Sequence, residues 1–333
     1  MTMRGGVNII VSMIQRFLLF VATLACASPI AAGATASGPS QSALQRLDDL
    51  RPSRLGIDRR GYLWSWNQST GATAFLSPEG DLRPGPTVKD ASSVDLDSEW
   101  GVVELRGAGA RLVIHPVDGR AQRVVTLPNR AVEVCWVGAD TVAVSPALSG
   151  HRVEIWDLAK GLLAFAIGDE APIVPRVGAV MERTVLLHFD HPRQRLATLD
   201  ALSGDYQVFD LAGHLLFRSK APVPEREVAS LKSWLEAVDA AARAAGDSQT
   251  PGVFYFNDFA LDSKGQAWVV GERDRSEGRT TFLVIRDGGK VDRHVLETSD
   301  CSAPGVTVWG PWLIQYTDAA APSGFCIGKR RLP

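Results

Sequence analysis

The sequence lacks the motifs and charge patterns that identify a catalytic or nucleic-acid-binding protein. Its 333 residues contain four cysteines, no Gly-x-Ser-x-Gly, His-Glu-x-x-His or Cys-x-x-Cys motif, and no run of lysine and arginine before Lys329–Arg331. The formal net charge of −2 offers no basic surface to a phosphate backbone, so we expect no nucleic-acid partner. A triad assembled from distant residues stays open, but these absences favour a non-enzymatic binding protein.

Long apolar runs are scarce as well, and the N-terminus alone has a notable one. A basic residue precedes an apolar run over residues 17–25, and small residues follow it, which is the pattern of a secretory signal. We expect residues 1–36 to be a signal peptide and the mature protein to be exported, periplasmic or extracellular, with no transmembrane segment. A lipid anchor at Cys26, which follows Thr23-Leu24-Ala25, is the alternative.

The remaining cysteines fit an oxidising compartment. Cys135 lies in the apolar strand pattern AVEVCWVG, which predicts a buried free thiol. Cys301 and Cys326 flank the last segment of the chain, and we expect them to form a disulfide. In the chain-entropy description, closing a loop of that size contributes roughly 3 kcal/mol.

Short strand patterns recur along the chain at a nearly constant distance. Their central residues lie at 64, 103, 142, 186, 268 and 313, which gives intervals of 39, 39, 44, 82 and 45. A period near forty that consists of strands and turns predicts one four-stranded sheet per repeat, that is, a β-propeller. We therefore predict an all-β, six-bladed propeller over residues 45–333. Seven blades remain the alternative, because residues 196–220 are themselves rich in strand patterns.

Two further features complete this prediction. Each repeat shows a second hairpin pattern after the first, and the incomplete first and last repeats suggest that the two chain ends share a blade. The long interval holds the segment 224–246, in which Val228, Leu231, Leu235, Val238 and Ala242 follow the helical period. This predicts one inserted amphipathic helix.

One hairpin motif occurs twice, as GIDRRGYLWSW at 56–66 and ALDSKGQAWVV at 260–270. In such a turn the aspartate accepts backbone hydrogen bonds and the glycine takes a positive φ. The matching structural positions are Asp58 with Asp262, Gly61 with Gly265 and Trp64 with Trp268. This motif resembles the hairpin of NHL-like six-bladed propellers, and the resemblance implies a fold and no activity.

The second copy extends upstream as FNDFALDSKG and is similar to the gluconolactonase-like propellers. That resemblance implies that Asn257, together with Asp258, binds a divalent cation such as Ca²⁺ in the axial channel, because Ca²⁺ takes several oxygen ligands. The family's Asn-Gly pair and early glutamate are missing from this sequence. A metal-dependent lactonase or esterase is therefore the alternative function, and no cofactor is the expectation.

Aromatic residues suggest a third possibility. The motif does not require the rings of Tyr62 and Trp66, so these two are candidate ligand contacts. Nine tryptophans also suggest a glycan-binding module, but most of them lie in apolar strands and are expected to pack blade against blade. His188, Asp190 and His191 could begin a metal site, although a strand end that runs into a turn explains them better.

These observations together favour an exported, non-enzymatic propeller that acts as a protein- or ligand-binding scaffold. The inserted helix is the element that the fold requires least, so it is the first candidate for contact with a protein or peptide partner.

Overall fold

The computed structural model describes residues 38–107, 109–147, 150–168, 184–223, 255–274, 279–297, 305–317 and 326–332, together with seven separate residues between 229 and 244. The chain divides into Met1–Ser37 and Gly38–Pro333. The predicted signal peptide, residues 1–36, lies outside the described residues.

The described strands form six antiparallel sheets, each of which runs outward in chain order from an inner strand. We call these sheets blades 1 to 6. Blades 1, 2 and 3 consist of β1 (Arg54–Ile57), β2 (Leu63–Trp66), β3 (Thr73–Leu76) and β4 (Leu82–Pro84); β5 (Ser93–Asp97), β6 (Gly101–Arg106), β7 (Arg111–His115) and β8 (Arg123–Thr126); and β9 (Ala131–Gly138), β10 (Thr141–Pro146), β11 (Val153–Asp157) and β12 (Leu162–Ile167). Blades 4, 5 and 6 consist of β13 (Val185–Asp190), β14 (Arg195–Asp200), β15 (Asp205–Asp210) and β16 (Leu215–Lys220); β17 (Phe259–Leu261), β18 (Ala267–Asp274), β19 (Arg279–Ile285) and β20 (Val291–Glu297); and β21 (Gly305–Trp309), β22 (Trp312–Tyr316) and β23 (Ile327–Arg331).

The six-bladed prediction is confirmed. Residues 196–220, which left room for a seventh blade, lie in β14, β15 and β16 of blade 4. The four hairpins predicted after the first strand pair of a repeat are also present, in blades 2, 3, 4 and 5. The pattern centred on residue 186 is the inner strand β13, whereas the other five patterns are second strands, so their equivalent in blade 4 is β14.

The ring closes in a way that the sequence did not indicate. Among the described residues, blade 6 contains no N-terminal strand, so the expected blade shared by the two chain ends is not found in that part of the chain. A helix, α1 (Gln41–Leu50), joins the ends instead, and its first turn is capped by the side chain of Ser40, which accepts a hydrogen bond from the N–H of Ala43 at 3.2 Å. Its apolar face packs into one cluster with both blades, formed by Ala43, Leu44 and Leu47 of α1, Leu55, Leu63 and Leu76 of blade 1, and Trp309, Ile314 and Tyr316 of blade 6.

The two copies of the hairpin motif adopt the same turn, between the inner and second strands of blades 1 and 5. The Oδ1 atom of Asp58 accepts hydrogen bonds from the N–H groups of Arg60 and Tyr62, both at 2.9 Å. Asp262 accepts the equivalent bonds at 2.8 and 2.9 Å. Gly61 and Gly265 have φ of 82° and 76°, where side chains other than glycine are strained. The motif therefore has the geometry expected from its residue types.

The predicted inserted helix, 224–246, lies mostly outside the described residues. The members that are described are all helical and exposed: Ala229, Ser233, Glu236, Ala237, Ala240, Ala241 and Ala244. Their spacing of three or four residues places them on one helical face, the face opposite the apolar positions read from the sequence. Within the described part of the chain, no helix is long and apolar enough to cross a membrane.

Candidate functional site

The inner strands of the blades surround a cavity on the axis of the ring, which we call the axial chamber. The space inside it that the centre of a water-sized sphere can reach is about 30 Å³. Five of the six inner strands or the residues next to them contribute to it. Its lining residues are Arg54, Leu55, Gly56, Ile57, Trp64, Asp95, Val134, Cys135, Trp136, Leu187, His188, Phe189, His191 and Asp258.

One end of the chamber is polar and lies where the inner strands begin. Arg54 at the start of β1 forms an ion pair with Glu133 of blade 3 and donates a hydrogen bond to Ser93 of blade 2 at 3.0 Å. Ser93 in turn hydrogen-bonds to Glu133 at 3.0 Å. Burial alone lowers the pKa of Arg54, but the neighbouring carboxylates of Glu133 and Asp258 outweigh it and raise the pKa. Arg54 is therefore a fixed positive charge that three blades share.

Two carboxyl groups of the chamber resist ionisation. Burial raises the pKa of Asp95 to about 7, against the opposing effects of the N–H of Trp136 and the charge of Arg54. Burial also raises the pKa of Asp258 to about 6, with Arg54 and two hydrogen bonds opposing. In both cases the nearby positive charge and the hydrogen bonds are too weak to offset the effect of burial.

The other end of the chamber is aromatic and lies where the inner strands turn into the second strands. The ring of Trp100 in blade 2 contacts Trp136 of blade 3 and His191 of blade 4, with centroid distances of 5.8 and 5.7 Å. His191 also meets Phe189 edge to face at 4.8 Å, and the guanidinium of Arg59 lies 4.6 Å from the Trp100 ring centroid. Three blades thus supply one aromatic layer, to which blade 1 adds the guanidinium of Arg59, and this layer bounds the chamber on this side.

Two histidines of β13 and its turn line the chamber in the neutral form. Burial lowers the pKa of His188 to about 4 and that of His191 to about 3, and the charges of Arg54 and Arg59, respectively, lower them further. His188 rests edge to face on Phe259 at 5.6 Å, and within the described part of the chain its ring nitrogens have no hydrogen-bond partner. A neutral imidazole in this state offers one donor and one acceptor to whatever occupies the chamber.

The two residues predicted as metal ligands are placed differently, because Asp258 lines the chamber and Asn257 is not among its lining residues. Asn257 is exposed. Asp258 accepts hydrogen bonds from Phe259 N–H at 2.9 Å, Val306 N–H at 3.1 Å and the Tyr316 hydroxyl at 3.0 Å, so both its oxygens already have partners. Among the described residues no three His, Cys, Asp or Glu side chains converge as a metal centre requires. Asp190, the acid between the two histidines, pairs with Arg193 at 3.1 Å.

The aromatic residues singled out from the sequence belong to the packing between blades 1 and 2. Trp64 and Trp66 are each 4% exposed, and Tyr62 packs against the same cluster. The indole of Trp66 donates to the carbonyl of Val88 at 3.2 Å. Packing therefore accounts for Trp66, and the prediction that it contacts a ligand is not supported by its position. Tyr62 stays partly exposed beside Arg60. None of the eight tryptophans that the structure describes is exposed, although Trp100 and Trp312 are partly exposed.

The cysteine predictions have different outcomes. Cys135 is a buried free thiol, as predicted, and burial raises its pKa well above the ordinary range. Cys301 lies outside the described residues, so the disulfide with Cys326 stays a prediction.

Sequence reasoning missed most of the chamber. Arg54, Ser93, Asp95 and Glu133 lie in RLGI, SVDLD and AVEVC, where a polar residue interrupts an apolar strand pattern. That interruption was the available signal. This signal could not be used because the repeats were aligned mainly on second strands. The inner strands, which face the axis, were therefore not recognised as a set.

Comparison with known proteins gives no family for this chain. No protein-family model matches the sequence, and no curated protein matches it. Solved structures with a similar fold include a streptogramin B lyase (10% identity, TM-score 0.49, 85% of this chain and 84% of that one). They also include the β-propeller domain of Cps50 (Swd1) from Myceliophteria thermophila (11% identity, TM-score 0.48, 85% of this chain and 97% of that one). A nidogen/laminin complex is similar in fold as well (11% identity, TM-score 0.48, 76% of this chain and 84% of that one). Likeness at this level is confined to the fold, and by its own sheets the chain is a six-bladed β-propeller.

Proposed function

We propose that the protein is a binding propeller that holds a small molecule in its axial chamber and is not an enzyme. The observation that carries this proposal is the chamber itself, in which polar groups from several blades converge on the axis of the ring. Small-molecule sites typically have volumes of about 300–1,000 Å³ and combine apolar walls with a few convergent polar groups. The chamber is much smaller, with about 30 Å³ open to the centre of a water-sized sphere, so its convergent polar groups, His188 and Asp95 among them, and not its size favour a small polar ligand.

The same observations count against a hydrolase of the metal-dependent kind. Both oxygens of Asp258 accept hydrogen bonds that join blade 5 to blade 6, which gives this residue a structural role. The neutral state of His188 leaves it a candidate base, but no nucleophile with hydrogen-bond contact to it lies among the described residues. Binding is the function that needs nothing beyond the groups present.

The proposal includes export of the protein, for which the N-terminal signal pattern is the support. An oxidising compartment is also where a disulfide between Cys301 and Cys326 would persist.

A fragment screen by thermal shift tests the binding proposal when wild type is compared with Ile57→Trp. Ile57 lines the chamber and is partly exposed, so a larger ring at this position occupies the cavity. We expect fragments that raise the Tm of the wild type and leave that of Ile57→Trp unchanged. The circular dichroism spectrum of the variant serves as the control for folding. Fragments that stabilise both proteins equally, or the absence of any that stabilise the wild type, would contradict the proposal.

A further inference from the structure

We propose that an extended, acidic segment of a partner protein pairs with the outer edge of β23 and completes blade 6 as its fourth strand. This edge lies at the rim of the ring, and no residue of β23 lines the axial chamber. The inference therefore goes beyond the proposed function and does not depend on it.

Blade 6 has fewer strands than the other blades. In the part of the chain that the structure describes, blades 1 to 5 each contain four strands and blade 6 contains three. Its outermost strand, β23, pairs with β22 on its inner side, from Ile327 opposite Tyr316 to Arg331 opposite Trp312. No described strand pairs with its outer side. Such an edge is where the backbone of an extended segment can add to a sheet.

Burial also distinguishes β23 from the third strands of the other blades. All five residues of β11 in blade 3 are buried, and four of the five residues of β7 in blade 2 are buried. None of the five residues of β23 is buried, and the last two, Arg330 and Arg331, are exposed. The third strand is thus an interior strand in those blades, whereas β23 is accessible to a partner.

The charges of β23 indicate what kind of segment would pair with it. Lys329, Arg330 and Arg331 are consecutive cations on a strand without an acidic residue. By the register with β22, Lys329 and Arg331 lie on the face of the blade that packs toward blade 1 and α1, and Arg330 lies on the face toward blade 5. An added strand with acidic side chains would therefore meet opposite charges on both faces.

The same charges count against two other occupants. Cations on a sheet edge keep identical molecules apart, because like charges would face each other across the new strand pair. A second copy of this chain is therefore disfavoured at β23. A segment without acidic residues could pair through its backbone, but it would gain nothing from the three cations.

Both ends of β23 are held in place by apolar contacts. Ile327, its first residue, packs against the cluster that contains the apolar face of α1. Leu332, directly after the strand, packs against the cluster between blades 5 and 6. The edge is thus ordered before a partner arrives, which reduces the entropy that binding must remove.

Fluorescence anisotropy with a labelled peptide tests the proposal on the full chain. The probe is a capped peptide in which valine alternates with glutamate and which is long enough to span the five residues of β23. At low ionic strength we expect it to bind the wild type at least about tenfold more tightly than the same peptide with glutamine in place of glutamate.

Two arginine variants test the position of the site. Arg331→Glu should weaken binding of the glutamate peptide by about fivefold or more and change that of the glutamine peptide by less than about twofold. Arg83→Glu reverses an exposed arginine on β4, the outermost strand of blade 1, and is the matched control that should leave both affinities unchanged. The Tm of each variant serves as the control for folding.

Hydrogen exchange with and without the glutamate peptide locates the contact. We expect the backbone amides of residues 327–331 to exchange more slowly when the peptide is bound. Those of β12, the uncharged outer strand of blade 3, should exchange at the same rate in both states. Slower exchange at β12 and not at β23 would place the peptide on the wrong blade and overturn the proposal.

The other outcomes are equally decisive. If the glutamine peptide binds as tightly as the glutamate peptide, the edge accepts a strand but the acidic class is wrong. If Arg83→Glu weakens binding as much as Arg331→Glu, the peptide responds to positive charge in general. If neither peptide binds, or if the amides of 327–331 are already slow in the free protein, β23 is not an open edge. None of these results bears on the fragment screen of the axial chamber, so the two proposals fail independently.

Discussion

At the scale of single residues, aspartates join neighbouring blades through backbone hydrogen bonds. Each of three carboxylates accepts an N–H group from the following blade: Asp58 from Ser98 at 3.0 Å, Asp95 from Trp136 at 2.7 Å, and Asp258 from Val306 at 3.1 Å. The bonds cross the gap between blades, where no strand pairing exists. The cost is the partial burial of a carboxylate, which raises the pKa of all three.

That cost predicts how stability depends on pH. Asp95 has an ordinary pKa of 3.8 and a pKa of about 7 in the folded protein. Between these values the folded protein keeps a proton that the unfolded chain releases, so the contribution of Asp95 to stability falls as pH rises through this window and reaches its minimum above about pH 7. Asp95→Asn, which cannot ionise, should therefore be relatively more stable at high pH.

We expect the difference in Tm, Asp95→Asn minus wild type, to be larger at pH 8 than at pH 5 by about 2 °C or more. The substitution also removes one acceptor for a backbone N–H, which shifts the Tm of the variant equally at both pH values. This shift therefore cancels when the two pH values are compared. Scanning calorimetry at both pH values measures it, with Asp118→Asn as the exposed control. An equal Tm difference at pH 5 and pH 8 would show that ionisation of Asp95 is not costly.

At the scale of elements, α1 fastens the first blade to the last. Its apolar face contacts both blades, and the ring of Trp309 donates a further hydrogen bond to the carbonyl of Gly61 at 2.8 Å. The sequence QSALQRLDDL has a cap at Ser40 and apolar residues at positions 43, 44 and 47, which is a helical spacing. It went unnoticed because it lies next to a signal pattern and outside the strand repeat.

Substitutions in α1 test this fastening. Leu47 is fully buried in the cluster between the two blades, and Gln45 is exposed on the same helix. Leu47→Ala should lower the free energy of unfolding by about 2–5 kcal/mol through the lost contacts and the cavity. Gln45→Ala should change it by no more than about 0.5 kcal/mol. Urea unfolding followed by tryptophan fluorescence gives both values, and similar values for the two variants would mean that α1 does not hold the ring together.

At the scale of the whole molecule, the period of the strand patterns was enough to predict the architecture, and the chamber was not predictable in the same way. Blade number depends on spacing, which is a local and repeated property. The chamber depends on which side chains of six distant inner strands meet, and Asp95, Glu133 and His188 each look like an isolated polar residue in its own strand. Asp258 was identified, but through a motif whose metal role its hydrogen bonds do not favour.

The predicted disulfide between Cys301 and Cys326 concerns the whole molecule, because such a bond persists only in an oxidising compartment. If Cys301 and Cys326 are joined, the purified mature protein, denatured without reductant, should react with one equivalent of a thiol reagent, at Cys135. After reduction it should react with three equivalents. Peptide mapping by mass spectrometry identifies the labelled residues. Labelling of all three cysteines before reduction would argue against both the disulfide and an oxidising compartment.

The closure through α1 has a consequence for the folding rate. Without a shared blade, no strand hydrogen bonds from the N-terminal part of the described chain enter blade 6, and the contacts that join the ends connect residues near 45 with residues near 312. Contacts between such distant segments form late, because the whole intervening chain must first lose its freedom. Until then the apolar faces of blades 1 and 6 stay uncovered, so the last step of folding is also the one in which two unfinished molecules are most prone to aggregate.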